Sequence, residues 1–196
     1  MKTEFENAIA LGHCGILLGS CWMKEMTHQS LSALGGDGSP ELKEALKKLE
    51  WDIPQPTDSQ ARDRVIEELA IDYCRLLIGP KGHLSPVESV WATDQFQSET
   101  VSAMQAFFDL LPGYQPPISL HDHIGVQLDY AGNLLVAAGN SGEPAAFEPV
   151  LAFCGSRLGW IDGLLRGINA LAQTDFYRGL STATGRWVAD VQDRPI

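Results

Sequence analysis

The sequence predicts an all-α protein, and three observations carry that prediction. Apolar residues recur at helical spacing over long stretches, as in Val65, Leu69, Tyr73 and Leu76-Leu77. Glycine and proline fall between such stretches as punctuation. Strict apolar–polar alternation, the mark of a half-buried strand, is scarce.

The first helix is expected from about Phe5 to about Met26, followed by a polar connector, Gly35 to Ser39, that should fray. Pro40, at a first-turn position, opens a short charged helix to about Trp51. After Pro54 and Pro56, a capping box from Thr57 to Gln60 starts a long helix through Ile78, and Gly79 ends it. Ser85-Pro86-Val87-Glu88 is the plainest start signal: a capping serine, proline at the first helical position and glutamate at the third, followed by Ser89. Ser98 to Leu111 forms the next helix, stopped by Pro112-Gly113. Tyr114 to Pro117 is then a stiff extended linker, and residues 112–118 form a candidate hinge. Further helices are expected at Ser119–Ala138, Pro144–Arg157, Leu158–Ala172 and Thr174–Val191.

At 196 residues the chain fits one domain with a single core. Fourteen basic against 25 acidic residues, a formal charge of −11, argue against nucleic acid and favour cationic partners. Cys14, Cys21, Cys74 and Cys154 lie far apart without a CxxC pair, so they are read as small core residues in a reducing compartment. Glu4 and Glu6 precede the apolar run from Ala8 to Trp22 where a secretory signal needs basic residues, and no stretch reaches transmembrane length. A cytoplasmic location with no membrane insertion is expected.

Chemistry concentrates in Ser119 to Tyr130, where Asp122-His123 stands at an expected helix start. Unpaired N–H groups there stabilise an ionised aspartate, and a neighbouring histidine can change charge near neutral pH. The pair suits a cationic or hydrogen-bonding guest and is expected to face an open trough. His121 and His123 point about 200° apart on a regular helix, so metal binding is not assigned. Gly79-Pro80-Lys81-Gly82 lacks phosphate-loop spacing, and no GxSxG, HExxH or EF-hand pattern occurs. Trp22, Trp51 and Tyr73 read as core aromatics, whereas Trp91, with Asp94 beyond it, is a candidate surface anchor.

Four blocks together resemble a known family: Tyr73-Cys-Arg-Leu76 with Gly79-Pro80; Pro86-Val-Glu-Ser-Val-Trp91; Asp122-His123-Ile-Gly125 with Gln127-Leu128; and Asp175-Phe-Tyr-Arg-Gly-Leu180. In this order and spacing they are similar to the TorD/DmsD family of redox-enzyme maturation chaperones. The resemblance implies an all-helical chaperone, without enzymatic activity or resident cofactor, that binds the twin-arginine signal peptide and the apo catalytic subunit of a molybdoenzyme and delays its export until the cofactor is loaded. By position it implies leader binding by Asp122, His123, Trp91, Tyr73 and Gln127, with Gly79, Pro86, Glu88 and Ser89 in turn and cap geometry. It leaves open a guanine nucleotide ligand, and a monomer or a dimer exchanging helices about the 112–118 linker. The chain departs from the family in carrying Ser119-Leu120 where Glu-Pro is usual. A late-helix histidine is also missing, with Cys154 or Ser156 in its neighbourhood.

Two other classes fit the residues. His121-Asp122 is formally the dyad of metal-dependent HD phosphohydrolases, with His83 and Asp162 as available further ligands, and a helical adaptor that reads no leader would share the fold. The chaperone reading expects Asp122→Ala to weaken leader binding without loss of helicity. A charged role for His123 expects affinity to change between about pH 5.5 and 7.5.

Overall fold

In the computed structural model, which describes residues 2–37, 46–94 and 99–193, nine α-helices and several tighter or wider turns pack around one core. Helix α1 (Lys2–Met23) is followed by α2 (His28–Ser32), whose capping box joins Thr27 and Ser30 and which widens into a π-turn at Ala33–Asp37. A helical turn at 46–49 precedes α3 (Ser59–Tyr73), continued by a π-turn at Cys74–Ile78. Then come α4 (Glu88–Thr93), α5 (Glu99–Phe108), α6 (Ile124–Ser141), a 3-10 turn at Pro144–Phe147, α7 (Glu148–Arg157), α8 (Ile161–Leu171) and α9 (Asp175–Gln192). The expected helix start at Pro40 and the end of the Gly35–Ser39 connector lie outside the described residues.

The axis of the molecule is α6, buried along most of its length and paired antiparallel with α1. Three glycines on α6 and two on α1 make that pairing close. A Cβ on Gly12 would meet the Gly132 carbonyl oxygen at 2.6 Å, one on Gly125 would meet that of Gly19 at 2.7 Å, and one on Gly139 would meet that of Phe5 at 2.9 Å. Gly125, Gly132 and Gly139 recur every seven residues, as do Gly12 and Gly19, so one stripe of each helix is bare and the backbones touch. Helix α9 closes the other side of α1. Trp187 donates its indole N–H to the Leu11 carbonyl (2.7 Å), and Trp22 donates to Thr184 Oγ1 (3.0 Å). Satisfied indoles of this kind are the usual condition for burying tryptophan.

Several helix ends differ from their sequence signals. Asp58, not Thr57, caps α3, its carboxylate accepting from Ala61 N at 2.7 Å. Gly79 is extended at φ −53°, and α3 ends because its N–H closes a wide turn onto Cys74 O (2.6 Å), not through a left-handed glycine. Ser85 does not cap α4 and Pro86 is not in its first turn: the helix starts at Glu88, after Val87, with no side-chain cap of its own. Ser119 to His121 precede α6 as a turn, so that helix begins five residues late.

Asp72 shows how the late helices are tied down. Its buried carboxylate accepts from Gln173 N, Thr174 N and Oγ1, and Arg75 Nη2 at 2.7–3.2 Å, which fixes the start of α9 against α3. Burial alone would raise its pKa, but the donors from Thr174, Arg75 and Gln173 outweigh it and hold the carboxyl below the usual range.

Candidate functional site: a buried polar junction under an aromatic pair

The extended segments before α4 and α6 lie side by side. Val87 and His123 form an antiparallel bridge, with Glu88 N donating to Asp122 O (3.0 Å) and Ile124 N to Pro86 O (2.8 Å). This pairing carries Asp122 to the start of α4. Its Oδ2 accepts from Ser89 N (3.0 Å) and from the Thr100 hydroxyl (3.3 Å), so the cap that α4 lacks in its own sequence arrives from 33 residues downstream.

His123 performs the same service for α6: its Nδ1 accepts from Gly125 N at 2.9 Å, which requires the neutral ring with Nδ1 unprotonated. Burial pushes its pKa down from 6.5 to about 4, opposed only by the Asp122 carboxylate. Asp122 is 2 % exposed and His123 4 % exposed. The expectation of an open trough with this pair at its wall is therefore corrected. A carboxylate and an imidazole at two helix starts are drawn inward by the orphan N–H groups they satisfy.

Behind them a charged chain runs toward the surface. Glu88, assigned from sequence to a cap, is instead a buried partner: its Oε1 meets Arg157 Nη1 at 3.1 Å, and its Oε2 accepts from Gln127 Nε2 at 2.6 Å. Burial raises the Glu88 pKa and the Asp122 charge adds to it, while Arg157 and Gln127 pull it down. Gln127 Oε1 in turn accepts the Trp160 indole N–H at 2.9 Å. Ser89 Oγ and Arg157 Nε are enclosed with no hydrogen-bond partner among the described residues, so the junction is incompletely satisfied.

At the outer end Trp160 stands 6.4 Å from Trp91, ring centre to ring centre. Trp91 is 39 % exposed, anchored by its N–H to Ser85 O (2.7 Å) and seated on Gly163, where a Cβ would strike the ring at 2.7 Å. The exposed carboxylates Asp94, which ends α4 in a left-handed turn, and Asp162 adjoin this pair in sequence.

The structure thus joins Asp122, His123, Gln127, Glu88, Ser89 and Trp91 at one place, and leaves Tyr73 elsewhere. Tyr73 is buried, donating to Trp22 O (3.2 Å) with its ring 6.0 Å from Tyr177, so it is a core residue and not part of this face. Arg157, Trp160 and Thr100 were not anticipated. The one available signal was Glu88, an acid too well surrounded by apolar residues to remain unpaired. Cys154 is buried, and Ser156 bonds back to Ala152 O, so neither stands in for the missing histidine.

No group of three or more His, Cys, Asp or Glu side chains gathers to hold a metal among the described residues. Asp122 is engaged in capping and His121 lies edge-on to Phe108, so the HD constellation with His83 and Asp162 is not assembled. No helix among the described residues is long and apolar enough to cross a membrane.

The family described as nitrate reductase delta subunit matches residues 36–166, two thirds of the chain, and the protein belongs to that family. It is a family of molybdoenzyme maturation chaperones, to which TorD-like proteins are related. No curated protein and no solved structure matches this chain.

Proposed function

We propose that the protein is a cytoplasmic maturation chaperone that binds the twin-arginine leader, and the apo form, of a molybdenum-cofactor oxidoreductase subunit and holds it until the cofactor is inserted. The observation that carries this reading is the half-exposed Trp91–Trp160 pair, with the exposed acids Asp94 and Asp162 two to three residues away in sequence, on a chain that belongs to a maturation-chaperone family. Indole faces attract guanidinium groups by cation–π contact, worth about 0.5–1 kcal/mol each where exposed, and flanking carboxylates add charge-assisted hydrogen bonds.

In this reading Asp122, His123 and Gln127 do not touch the leader. They position the surface: Asp122 holds the start of α4, which bears Trp91, and Gln127 holds the Trp160 indole. Replacing the usual Glu-Pro by Ser119-Leu120 removes one carboxylate from the approach and leaves Asp94 and Asp162 as the acidic partners.

Calorimetric titration with a synthetic leader peptide tests the proposal. Tight binding that drops about tenfold when the arginine pair becomes lysine, or when Trp91 becomes alanine, supports it. A chain that does not distinguish arginine from lysine and co-purifies with no molybdoenzyme subunit is an adaptor of another kind. Turnover of phosphoesters with tightly held metal would revive the HD alternative.

A further inference from the structure

The outer face of α3 leaves apolar side chains uncovered. Of the five large hydrophobic residues exposed among the described residues, three gather here: Ile71 (57 % exposed), Ile78 (59 %) and Leu171. Ile71 and Ile78 lie seven residues apart on one face of α3 and its π-turn, with exposed Cys74 between them. Arg75, on the flank of that face, donates to Leu171 O, which brings the end of α8 alongside. Covering such side chains is worth about 25 cal/mol per Å² of apolar surface.

Charge indicates what covers them. The chain carries −11, so two copies repel over most of their surfaces. Residues 62–81 are an exception, with four bases (Arg62, Arg64, Arg75, Lys81) against four acids (Asp63, Glu67, Glu68, Asp72). A strongly basic or strongly acidic partner finds no net charge there to answer. The signs are also ordered along the stripe: exposed Glu67 and Glu68 stand one turn before Ile71, and exposed Lys81 stands just past Ile78. Two such stripes laid antiparallel complement each other. With a twofold axis between Cys74 and Arg75, Ile71 meets the partner's Ile78, Glu68 meets the partner's Lys81, and both Cys74 side chains fall near the axis. Opposed helix dipoles add to the match.

We infer that the protein self-associates through this face as an antiparallel α3–α3 dimer of twofold symmetry. No helix is exchanged, in contrast to a dimer formed about the 112–118 linker. Two isoleucines and a leucine from each copy make a small interface, well below the roughly 800 Å² per partner of a standard one, so a dissociation constant in the micromolar range is expected. The aromatic pair, seated on Gly163 at the opposite end of α8 from Leu171, stays open in each copy.

Sedimentation velocity of the full chain across the micromolar range tests the inference. Monomer should convert to dimer as concentration rises, and Ile71→Glu/Ile78→Glu should weaken the dimer about tenfold or more. Both positions are exposed, and circular dichroism verifies that the variant is folded. Lys81→Glu and Glu68→Lys should each weaken the dimer roughly fivefold, and the two changes together should restore it, which an unspecific apolar contact would not do. A short bifunctional maleimide should link two chains through Cys74, since Cys14, Cys21 and Cys154 are buried. Glu25, which accepts from Cys74, raises its thiol pKa, so the linking is run at alkaline pH. Cys74→Ser, or the isoleucine variant, should abolish the link. A monomer at every concentration, a dimer indifferent to the isoleucine change as an exchanged one would be, or no restoration by the charge swap overturns the inference. So does loss of the dimer with Trp91→Ala, which would place the contact on the aromatic face, or a Cys74 link in cell lysate to a different protein in place of the second copy.

Discussion

The α1–α6 seam and the α4–α6–α7 junction share helix α6 yet solve opposite packing problems. Along the seam side chains are removed: Gly12 and Gly19 meet Gly132 and Gly125, and at these positions the two backbones come into direct contact. At the junction side chains are added, and Asp122, His123, Glu88, Gln127 and Arg157 fill the space between helix ends with paired charge and hydrogen bonds. The seam tolerates no addition, because a backbone cannot move aside. The junction tolerates no subtraction, because each lost group leaves a buried donor or charge unpaired.

That contrast is most severely tested by filling the seam. Gly132→Leu places a side chain where a Cβ alone lies 2.5 Å from the Gly12 carbonyl oxygen; overpacking against backbone, which cannot give way, should cost about 3 kcal/mol or more. For a chain of this size the melting temperature should fall by roughly 6–12 °C, or the protein should not fold, as thermal denaturation will show. Insensitivity would mean that the two helices are farther apart than described.

Breaking the junction from one side comes next. Arg157→Ala strands the Glu88 carboxylate and should cost about 3 kcal/mol, whereas replacing Glu88 and Arg157 together by leucine should recover more than half of that loss. A double variant no better than the single one would show that the pair is not the source of the cost.

Acid should weaken the junction and spare the seam. Folded His123 titrates near 4 and the unfolded imidazole near 6.5, so lowering the pH through that window protonates the unfolded chain preferentially and reduces stability, on the order of 2–3 kcal/mol in all. Above about pH 7 His123 contributes no slope. Asp72, held low, acts in the same direction at lower pH, while Glu88 and Asp129, held high, act in the other. The informative measurement is therefore the difference between wild type and His123→Asn, which retains a capping side chain and should lose this slope. The same neutral ring predicts leader affinity that is flat from pH 5.5 to 7.5, contrary to the behaviour expected of a solvent-facing imidazole.

Asp122→Ala should cost about 2 kcal/mol through the lost cap on α4 and the lost Thr100 contact, with any fall in leader affinity accompanied by a lower melting temperature. Full stability with lost affinity would return Asp122 to direct contact with the leader. Trp91→Ala removes a ring that is more than half covered and one hydrogen bond to Ser85 O, so it should cost about 1–2 kcal/mol in stability while its larger effect falls on peptide binding.

The helices were legible because apolar periodicity and proline–glycine punctuation are local properties. The expected Pro144–Arg157 and Thr174–Val191 segments fall within a residue or two of the turn and helices found there. The α4 start was misread because its Ser-Pro-Val-Glu pattern satisfies every local rule for a cap, yet Asp122, remote in sequence, supplies a buried carboxylate to Ser89 N and leaves residues 85–87 free to pair with α6's entrance. The glycine seam was written at heptad spacing but became interpretable only with a partner helix in place.

By itself the sequence determined the helical class, the acidic character and the motif order that marks a maturation chaperone. It also placed Asp122 and His123 at a helix entrance, where unpaired N–H groups attract short polar side chains. Only the tertiary structure decided which helix each one serves and that both face inward. It also decided that Glu88 finds Arg157 and that Trp91 is left partly outside. Pairing between residues 33 to 69 positions apart is set by how helices pack, and no local pattern of side chains encodes that distance.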